Sequence, residues 1–371
     1  MNNLNVLHLC SFFYTSSLYK NLFETLEKKG IHQEVLIPLY TNNFIKRQDY
    51  ENQPNLIYNS EKICSVMDRY FLKKRLRKIV QYILKNYSLE DYNMLHAHSL
   101  LANGGACYEL YKRGNNIRYI AAVRMTDLEV LQKLPWYKNY AMDIVKNSCN
   151  IIFISETLKK RFVNLLKIND KEILSKFIVI PNGILDFWYE ECNIEKKNIF
   201  TFIYQGSFLP RKNIIYSIDI IKNLTDLGVR CCFDIYGGEH SKQKKILEQY
   251  INNQGLNEYI HLREWTSNVG DIKKKYSESN VFIMPSKNET FGISYIEALA
   301  CGIPVVYLQN DGIDGMLDDR QGIALKGDDI SEDTKRILKL INNYDIYIKN
   351  TKNITFKWKD IANKYVEIYQ K

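Results

Sequence analysis

The sequence has no run of 18 apolar residues, although 46% of its 371 residues are hydrophobic. A membrane-spanning helix needs about 20 such residues, so we predict a soluble protein. No basic stretch precedes the strand-like segment 6–9, and we therefore expect no signal peptide and a cytoplasmic location. The length is enough for about two domains, each with a sizeable core.

Motifs for metals and disulfides are also missing. The eight cysteines form no Cys-x-x-Cys pair, and several lie in apolar segments, so we expect reduced, buried thiols and neither a disulfide framework nor a zinc site. Of the six histidines only His96 and His98 lie close together in the sequence, and we expect no structural metal. No nucleic-acid recognition motif is present either.

The net charge of +9 indicates an anionic partner, such as a membrane surface, a nucleic acid or a phosphorylated acceptor. The densest basic segment is 71–85, in which apolar residues recur at helical spacing. Two interpretations stay open: a helix that lies on acidic lipid, or a helix packed on the core with a solvated basic face. Because no recognition motif accompanies the charge, a nucleic-acid-binding module is a remote alternative.

Strand-like and helix-like segments alternate along the chain, which predicts βαβ units and parallel sheets. The strand-like segments are 6–9, 33–39, 94–96, 119–123, 151–154 and 177–180 in a first series, and 200–204, 230–236, 281–284 and 305–307 in a second. The charged segment 186–198 between the series is predicted to be a linker. The fold class is therefore α/β, with two facing, Rossmann-like doubly wound domains. Since such sheets bind ligands at the carboxyl ends of their strands, we expect the site in the interdomain cleft.

The segment 285–306 is the most informative part of the sequence. It reads as a strand end, a turn, a helix that Gly292 opens and Gly302 ends, and a second strand. A helix start beside a glycine offers backbone N–H groups to a phosphate, whereas Glu289 and Glu297 are suited to accept hydrogen bonds from sugar hydroxyls. Together these features indicate a nucleotide sugar. Alternatively, the two glutamates are ordinary solvent-facing side chains.

This segment resembles the C-terminal signature of retaining glycosyltransferases of family 4, which have the GT-B fold. Further matches follow in the family's order, at 96–98, 181–183, Gly206 with Lys212, and 356–369. The resemblance implies an acceptor-binding domain at 1–185, a nucleotide-sugar domain at 199–352 and a helix at 353–371 that returns to the first domain. It also implies a metal-independent enzyme with no cofactor and a donor of the UDP or GDP type.

In the second domain the resemblance implies that Lys212 and Glu289 are catalytic. Lys212 would stabilise the leaving diphosphate, and Glu289 would contact the donor sugar. Glu297 would bind the ribose hydroxyls, while Phe291 and Gly292 would offer backbone N–H groups to phosphate. Other expected substrate-binding residues are Gly206, Arg211, Ser286 and Thr290. Family members often carry an arginine where this chain has Ser207, and Arg211 is a candidate to replace it.

In the first domain, His98, Arg124 and Asp127 lie just past two predicted strands. We expect His98 to bind substrate, Arg124 to contact a phosphate or an acceptor acid, and Asp127, as a third catalytic residue, to bind sugar hydroxyls. A structural pairing of Arg124 with Asp127 is the open alternative. Arg124 and Met125 stand where relatives have histidine and glycine, so no role is carried over from that histidine.

The predicted function is retaining transfer of a sugar from a nucleoside diphosphate to a glycan or lipid-linked acceptor, in surface polysaccharide biosynthesis. The expected partners are the donor, the acceptor and an anionic membrane surface, which would place the enzyme peripherally at the inner face of the membrane. A sugar-nucleotide epimerase or a glycan phosphorylase on the same fold is the alternative.

Overall fold

A computed structural model describes residues 4–41, 50–115, 117–192, 195–238, 241–351 and 353–371. The chain divides into two compact units. The first unit comprises Met1–Ile154, Leu158–Gly183 and Lys357–Lys371, and the second comprises Ser155–Thr157 and Ile184–Phe356. The segment 186–198, predicted as a linker, lies within the second unit and begins with the short 3-10 helix Asp186–Tyr189. Residues 193 and 194 of that segment, and the predicted domain end at 352, lie outside the described residues.

The first unit is built on a parallel sheet of seven strands. They are β1 (Asn5–Leu9), β2 (His32–Leu39), β3 (Leu56–Lys62), β4 (Met94–Ala97), β5 (Tyr119–Ala122), β6 (Asn150–Phe153) and β7 (Phe177–Val179). Their spatial order is β3-β2-β1-β4-β5-β6-β7. The chain therefore reverses its direction across the sheet between β1 and β4, which makes this pair the switch point where such sheets bind ligands.

The helices of this unit follow the strands as predicted from the alternating pattern. They are α1 (Ser17–Glu27), α2 (Leu72–Asn86), α3 (Gly105–Tyr111), α4 (Met125–Lys133), α5 (Tyr137–Asn147), α6 (Glu156–Leu166) and α7 (Lys171–Ser175). α1 begins where Ser16 accepts a hydrogen bond from the Leu18 N–H at 3.3 Å, as a serine N-cap does. α2 buries its apolar residues, among them Leu76 and Val80. The core-packed interpretation of the basic segment is therefore confirmed for the helix itself.

The second unit contains a parallel sheet of six strands, β8 (Phe200–Gln205), β9 (Cys231–Tyr236), β10 (Ile260–Arg263), β11 (Val281–Ile283), β12 (Val305–Leu308) and β13 (Gly322–Leu325). The order is β10-β9-β8-β11-β12-β13, so the switch point lies between β8 and β11. Its helices are α8 (Ile214–Asp226), α9 (Ser241–Asn253), α10 (Val269–Glu278), α11 (Ile293–Ala300), α12 (Ile330–Asn342) and α13 (Tyr344–Thr351).

The last helix, α14 (Trp358–Gln370), belongs to the first unit. It buries Ile361, Tyr365 and Tyr369 in the core of that unit. Gly183 also belongs to this packing, because a Cβ at this position would lie 2.6 Å from Trp358. The close packing of Trp358 therefore explains why glycine stands at position 183, at the end of the segment 181–183.

The predicted α/β class with two doubly wound parallel sheets is confirmed. Three strands, β3, β10 and β13, were not among the sequence expectations. Each lies at the edge of its sheet, where fewer positions are buried and the apolar pattern is weaker. Within the residue ranges given above, no helix combines the length and the apolar character needed to cross a bilayer.

Candidate functional site

Two loops meet at the switch point of the second unit. The first follows β8 and contains the 3-10 turn Pro210–Lys212. The second follows β11 and contains Ser286 and Glu289. The loops are joined because the Lys287 N–H donates to the Arg211 carbonyl at 2.7 Å and the Ser286 hydroxyl donates to the same oxygen at 3.2 Å. Side chains of the two loops therefore have fixed relative positions.

Lys212 and Arg211 both reach the carboxylate of Glu289. The Lys212 Nζ lies 2.6 Å from Glu289 Oε2, and the Arg211 guanidinium donates to the same oxygen at 3.1 Å. Lys212 and Glu289 are nearly buried, whereas the Arg211 side chain is 43% exposed. Burial favours the neutral carboxyl, but the two cations outweigh it and lower the pKa of Glu289 below its usual range. The side chains of Arg211 and Lys212 therefore both extend to Glu289, and that of Lys212 is the more buried of the two.

Asp311 positions this arrangement and was missed by sequence reasoning. Its carboxylate accepts backbone N–H groups from Asn288 at 2.6 Å, Glu289 at 2.7 Å and Gly312 at 2.9 Å. It lies in the loop after β12 and is buried. The Asp-Gly pair after a predicted strand is a turn signal that points to this loop. Because the carboxylate holds the Glu289 backbone, Asp311 fixes where the Glu289 side chain starts.

The N-terminal end of α11 borders the same loop. Gly292 has φ +84°, and a Cβ there would lie 2.4 Å from the ring of Tyr295, so this position requires glycine. The Tyr295 hydroxyl donates to the Met284 carbonyl and thereby ties the helix to the end of β11. Phe291 is buried and packs on Phe356. The Tyr295 N–H donates to the Gly292 carbonyl at 3.1 Å. The first N–H groups of a helix, here those of Ile293 and Ser294, generally lack an acceptor within the helix and are suited to an anion.

Glu297 lies on α11 and differs from Glu289 in its surroundings. No ion pair or hydrogen bond to its carboxylate is found among the described residues, and burial raises its pKa to about 7. A partly buried carboxylate without a partner is suited to accept hydrogen bonds from ligand hydroxyls.

The other predicted residues of this unit are held mainly through their backbones. The Gly206 N–H donates to the Tyr236 carbonyl at 3.1 Å, directly after β8. The Thr290 N–H donates to Glu289 Oε1 at 3.3 Å. Ser286 is buried, and its hydroxyl lies 3.3 Å from Glu289 Oε2. The structure thus brings the nine predicted residues of the second unit to the loops and helix that follow β8 and β11.

The three predicted residues of the first unit also lie together, but they contact the backbone. The Asp127 carboxylate accepts N–H groups from Leu100 at 3.1 Å, Leu101 at 3.0 Å and Arg124 at 2.9 Å. The Arg124 Nε donates to the His98 carbonyl at 3.0 Å, and its guanidinium lies 5.5 Å from the centre of the Tyr19 ring. In the described part of the chain no ion pair joins the two side chains. The alternative role of Arg124 and Asp127 as a structural pair therefore rests on their contacts with the backbone, not on a salt bridge between their side chains.

His98 belongs to a buried cluster with His8 and His96. The Nδ1 of His8 lies 3.1 Å from the Nε2 of His98, and the Nδ1 of His96 lies 2.7 Å from the Tyr369 hydroxyl. Burial lowers the pKa of His8 to about 3 and holds the pKa values of His96 and His98 well below their usual range, so all three rings are neutral.

This cluster also marks where a metal ion could be ligated. One ring nitrogen from each of His8, His96 and His98 lies within 4.8 Å of the others, and among the described residues no other set of three ligating side chains is so placed. No carboxylate belongs to the set. These contacts use one nitrogen of each ring, whereas His8 Nε2, His96 Nε2 and His98 Nδ1 are buried and have no hydrogen-bond partner among the described residues. The expectation of no structural metal stays a prediction.

Comparisons with known proteins place this geometry in context. Residues 190–355 match the family described as "Glycosyl transferases group 1". An uncharacterized glycosyltransferase of Methanocaldococcus jannaschii is 25% identical over 280 residues, 72% of each chain. The capsular polysaccharide biosynthesis glycosyltransferase CapM of Staphylococcus aureus is 27% identical, over 60% of this chain and 61% of its own. N,N'-diacetylbacillosaminyl-diphospho-undecaprenol alpha-1,3-N-acetylgalactosaminyltransferase of Campylobacter jejuni is 22% identical, over 59% and 60%.

Solved structures match over nearly the whole chain. Sucrose-phosphate synthase from Thermosynechococcus elongatus superposes with a TM-score of 0.74 and 17% identity, covering 99% of this chain and 98% of its own. Anabaena HepE in complex with UDP superposes with a TM-score of 0.72 and 13% identity, covering 99% of each chain. At such identities the likeness shows the fold alone, which is the GT-B fold with its two doubly wound parallel sheets.

Proposed function

We propose that this chain, whose residues 190–355 match the glycosyl transferases group 1 family, is a glycosyltransferase that moves a sugar, with retention of configuration, from a nucleoside diphosphate to a glycan or lipid-linked acceptor. The observation that carries the proposal is the convergence of Lys212 and Arg211 on Glu289 at a switch point, beside the N-terminal end of α11. Cations and free helix N–H groups suit a diphosphate, and carboxylates suit the hydroxyls of the attached sugars.

Each group has a distinct proposed role. Lys212 has three N–H donors, of which one reaches Glu289 and a second makes a weak contact with Met284 Sδ at 3.6 Å, so the third can donate to the diphosphate while the ion pair persists. Glu289 is held ionised by its cations and accepts hydrogen bonds from the donor sugar. Glu297 accepts hydrogen bonds from the ribose, and the first turn of α11 binds a phosphate through backbone N–H groups. Arg211 is the more exposed cation. It contacts a phosphate in place of the arginine that family members often carry at the position of Ser207.

The proposed chemical step needs only the donor and the acceptor as reactants. The bond between the anomeric carbon and the phosphate oxygen breaks, and its electron pair stays on the diphosphate, whose growing charge Lys212 and Arg211 stabilise. An acceptor hydroxyl attacks the anomeric carbon from the same face. Its proton passes to the departing phosphate oxygen, so the product keeps the anomeric configuration of the donor.

The donor and acceptor classes follow from the relatives by analogy. HepE was solved in complex with UDP, which makes a UDP-sugar the first donor to test, with GDP-sugars next. CapM takes part in capsular polysaccharide biosynthesis and the Campylobacter jejuni relative acts on an undecaprenol diphosphate. An acceptor from surface polysaccharide assembly, free or linked to a lipid, is therefore proposed for this chain.

The test is binding and turnover of a panel of UDP- and GDP-sugars by the purified chain. Calorimetry should find one nucleotide sugar that binds, and Glu297→Ala should weaken that binding strongly. Asp226→Ala, at an exposed carboxylate paired with Lys222 on α8, is the matched control and should bind normally. Nuclear magnetic resonance of the transferred sugar should show the anomeric configuration of the donor.

Three outcomes would overturn the proposal. The first is that no nucleotide sugar binds or raises the melting temperature of the chain. The second is an isomerised nucleotide sugar formed without any acceptor, which would indicate an epimerase. The third is glycan cleavage that depends on inorganic phosphate, which would indicate a phosphorylase.

A further inference from the structure

A short segment ahead of α2 in the first unit exposes four large apolar side chains. In the segment 66–71, here called the apolar turn, Val66 is 50% exposed, Met67 60%, Tyr70 77% and Phe71 56%. Elsewhere in the described ranges, large exposed apolar side chains occur singly or at most as a nearby pair. A dense apolar patch of this kind marks an interaction surface, whereas scattered apolar side chains need no explanation.

The apolar turn is held rigidly in its exposed position. Asp68, in its middle, is fully buried and accepts the Ser65 N–H at 2.6 Å and the Lys78 ammonium at 2.6 Å. On its other side the Arg69 guanidinium lies 4.7 Å from the centre of the Tyr40 ring. The exposure of the apolar side chains is therefore built into the fold.

Positive charge is concentrated beside the apolar turn. Residues 66–85 contain seven lysines and arginines and a single acidic residue, Asp68, so these 20 residues account for six of the nine net charges of the chain. On α2, Lys73, Lys74 and Arg77 are exposed. Five apolar residues of α2 are buried, and apart from Leu84, which is 42% exposed, the residues that α2 exposes to solvent are polar or basic.

A groove begins at Leu72, the residue after the apolar turn. It has a volume of about 650 Å³, and its lining includes the apolar Leu72, Leu76, Val80 and Trp136. Three basic residues, Lys73, Arg77 and Arg113, and two acidic ones, Glu109 and Asp143, also line it. Apolar and basic side chains therefore lie together beside the apolar turn.

We propose that the apolar turn inserts into the interfacial layer of an anionic lipid bilayer, while Lys73, Lys74 and Arg77 of α2 contact the lipid phosphates. Aromatic and aliphatic side chains next to basic ones are the combination that binds such interfaces, and the charge is complementary to anionic lipid. This differs from a helix that lies on lipid, because the inserting residues are those of the rigid turn and the helix contributes charge alone.

The test is co-sedimentation of the full chain with vesicles. Vesicles of phosphatidylglycerol mixed with phosphatidylcholine should bind the chain, and vesicles of phosphatidylcholine alone should bind it weakly. Added salt should weaken binding to the mixed vesicles. The double variant Tyr70→Ser with Phe71→Ser should lower the partition coefficient by about tenfold or more, because two exposed aromatic side chains are lost from the interface.

Matched controls lie in the second unit. Leu227 and Ile346 are 63% and 49% exposed, and Leu227→Ser with Ile346→Ser should leave vesicle binding unchanged. Similarly, Lys73→Gln with Arg77→Gln should weaken binding, whereas Lys242→Gln with Lys245→Gln on α9 should not. Melting temperatures of all variants show whether the fold is intact. All of these variants should bind the nucleotide sugar equally well when no vesicles are present. A failure of the membrane proposal can therefore be told apart from a failure of the proposed function.

The proposal is overturned if mixed and neutral vesicles bind the chain equally, or if neither binds it. It is also overturned if the Tyr70 and Phe71 double variant partitions like the unaltered chain. Binding of a DNA duplex in preference to the mixed vesicles would identify the basic surface as a nucleic-acid site instead and equally contradict the proposal.

Discussion

The two units have the same type of sheet but use their switch points differently. In the second unit, β8 and β11 are followed by partly exposed charged groups, Lys212, Arg211 and Glu289. In the first unit, β1 and β4 carry His8 and His96, whose rings are fully buried and neutral. One switch point carries partly exposed charged side chains, and the other carries buried, neutral histidine rings that contact each other.

A carboxylate in each unit makes the contrast sharper. Asp127 and Asp311 each accept three backbone N–H groups, so the same device holds a loop near both switch points. In the second unit the held loop carries Glu289, whereas in the first it carries Leu100 and Leu101. The two units therefore share the fold and the way a carboxylate holds a loop. They differ in the side chains of that loop, which are charged at the candidate catalytic site and apolar in the first unit.

The largest effect is expected from Lys212→Met. Removing this cation should lower kcat with the preferred nucleotide sugar about 10²- to 10³-fold, as the loss of a preorganised charge at a reacting centre does. Arg211→Gln should have a smaller effect, because its side chain is more exposed. Steady-state kinetics measure both, and Lys222→Met on α8 is the control. Equal effects of Lys212→Met and Lys222→Met would remove Lys212 from the site.

Much of the second unit's site could be predicted from the sequence because its elements are local. Gly292, Glu297 and Gly302 lie in one helix and its two ends, and a helix start with a positive-φ glycine has a recognisable pattern. Lys212 was predicted through the family resemblance, from its place six positions after Gly206. What the sequence could not give was the convergence of Arg211 with Lys212, since side-chain direction in a turn depends on the loop that packs against it.

The first unit's residues show where sequence reasoning stops. His98, Arg124 and Asp127 were placed correctly after strands, but their partners are backbone groups of distant segments, which no spacing reveals. The burial of His8 with His98 depends on two strands that are 90 residues apart in the chain. Asp311 was missed for the same reason. It follows β12, but the backbone groups that it binds include those of Asn288 and Glu289 in the loop after β11.

The second prediction compares the two carboxylates that hold loops. Asp127→Ala leaves the buried N–H groups of Leu100 and Leu101 and the half-buried N–H of Arg124 without this acceptor, and should lower the free energy of unfolding by about 2–4 kcal/mol. Its effect on kcat of the folded enzyme should be small. Asp311→Ala should lower both stability and kcat, because it releases the Glu289 backbone. Urea unfolding and initial rates measure the two quantities. A large loss of kcat for Asp127→Ala at unchanged stability would instead support its predicted catalytic role.

The third prediction concerns the neutral histidines. A histidine with a pKa near 6.5 in the unfolded chain and about 3 in the folded chain binds its proton only on unfolding. Stability from this source is therefore full above pH 6.5 and falls as the pH drops towards 3, by about 1.4 kcal/mol for His8 at pH 5.5. Urea unfolding at pH 7.5 and 5.5 measures the loss, and His8→Asn should reduce it. We expect added zinc to leave the free energy of unfolding unchanged. A rise on adding zinc would instead indicate that the three histidines bind a metal ion.

The smallest effect is expected from the carboxylate without a partner. Burial raises the pKa of Glu297 to about 7, and the ionised carboxylate accepts hydrogen bonds from two ribose hydroxyls more strongly than the protonated carboxyl does. Donor affinity should therefore be full above pH 8 and weaken severalfold, at most about tenfold per pH unit, as the pH falls to 6. Calorimetric titration of the nucleotide diphosphate across this range measures it, and Glu297→Gln should bind more weakly but without the pH dependence. If the variant keeps the same pH profile, the titrating group lies elsewhere, and the contrast between the paired Glu289 and the unpaired Glu297 has no consequence for binding.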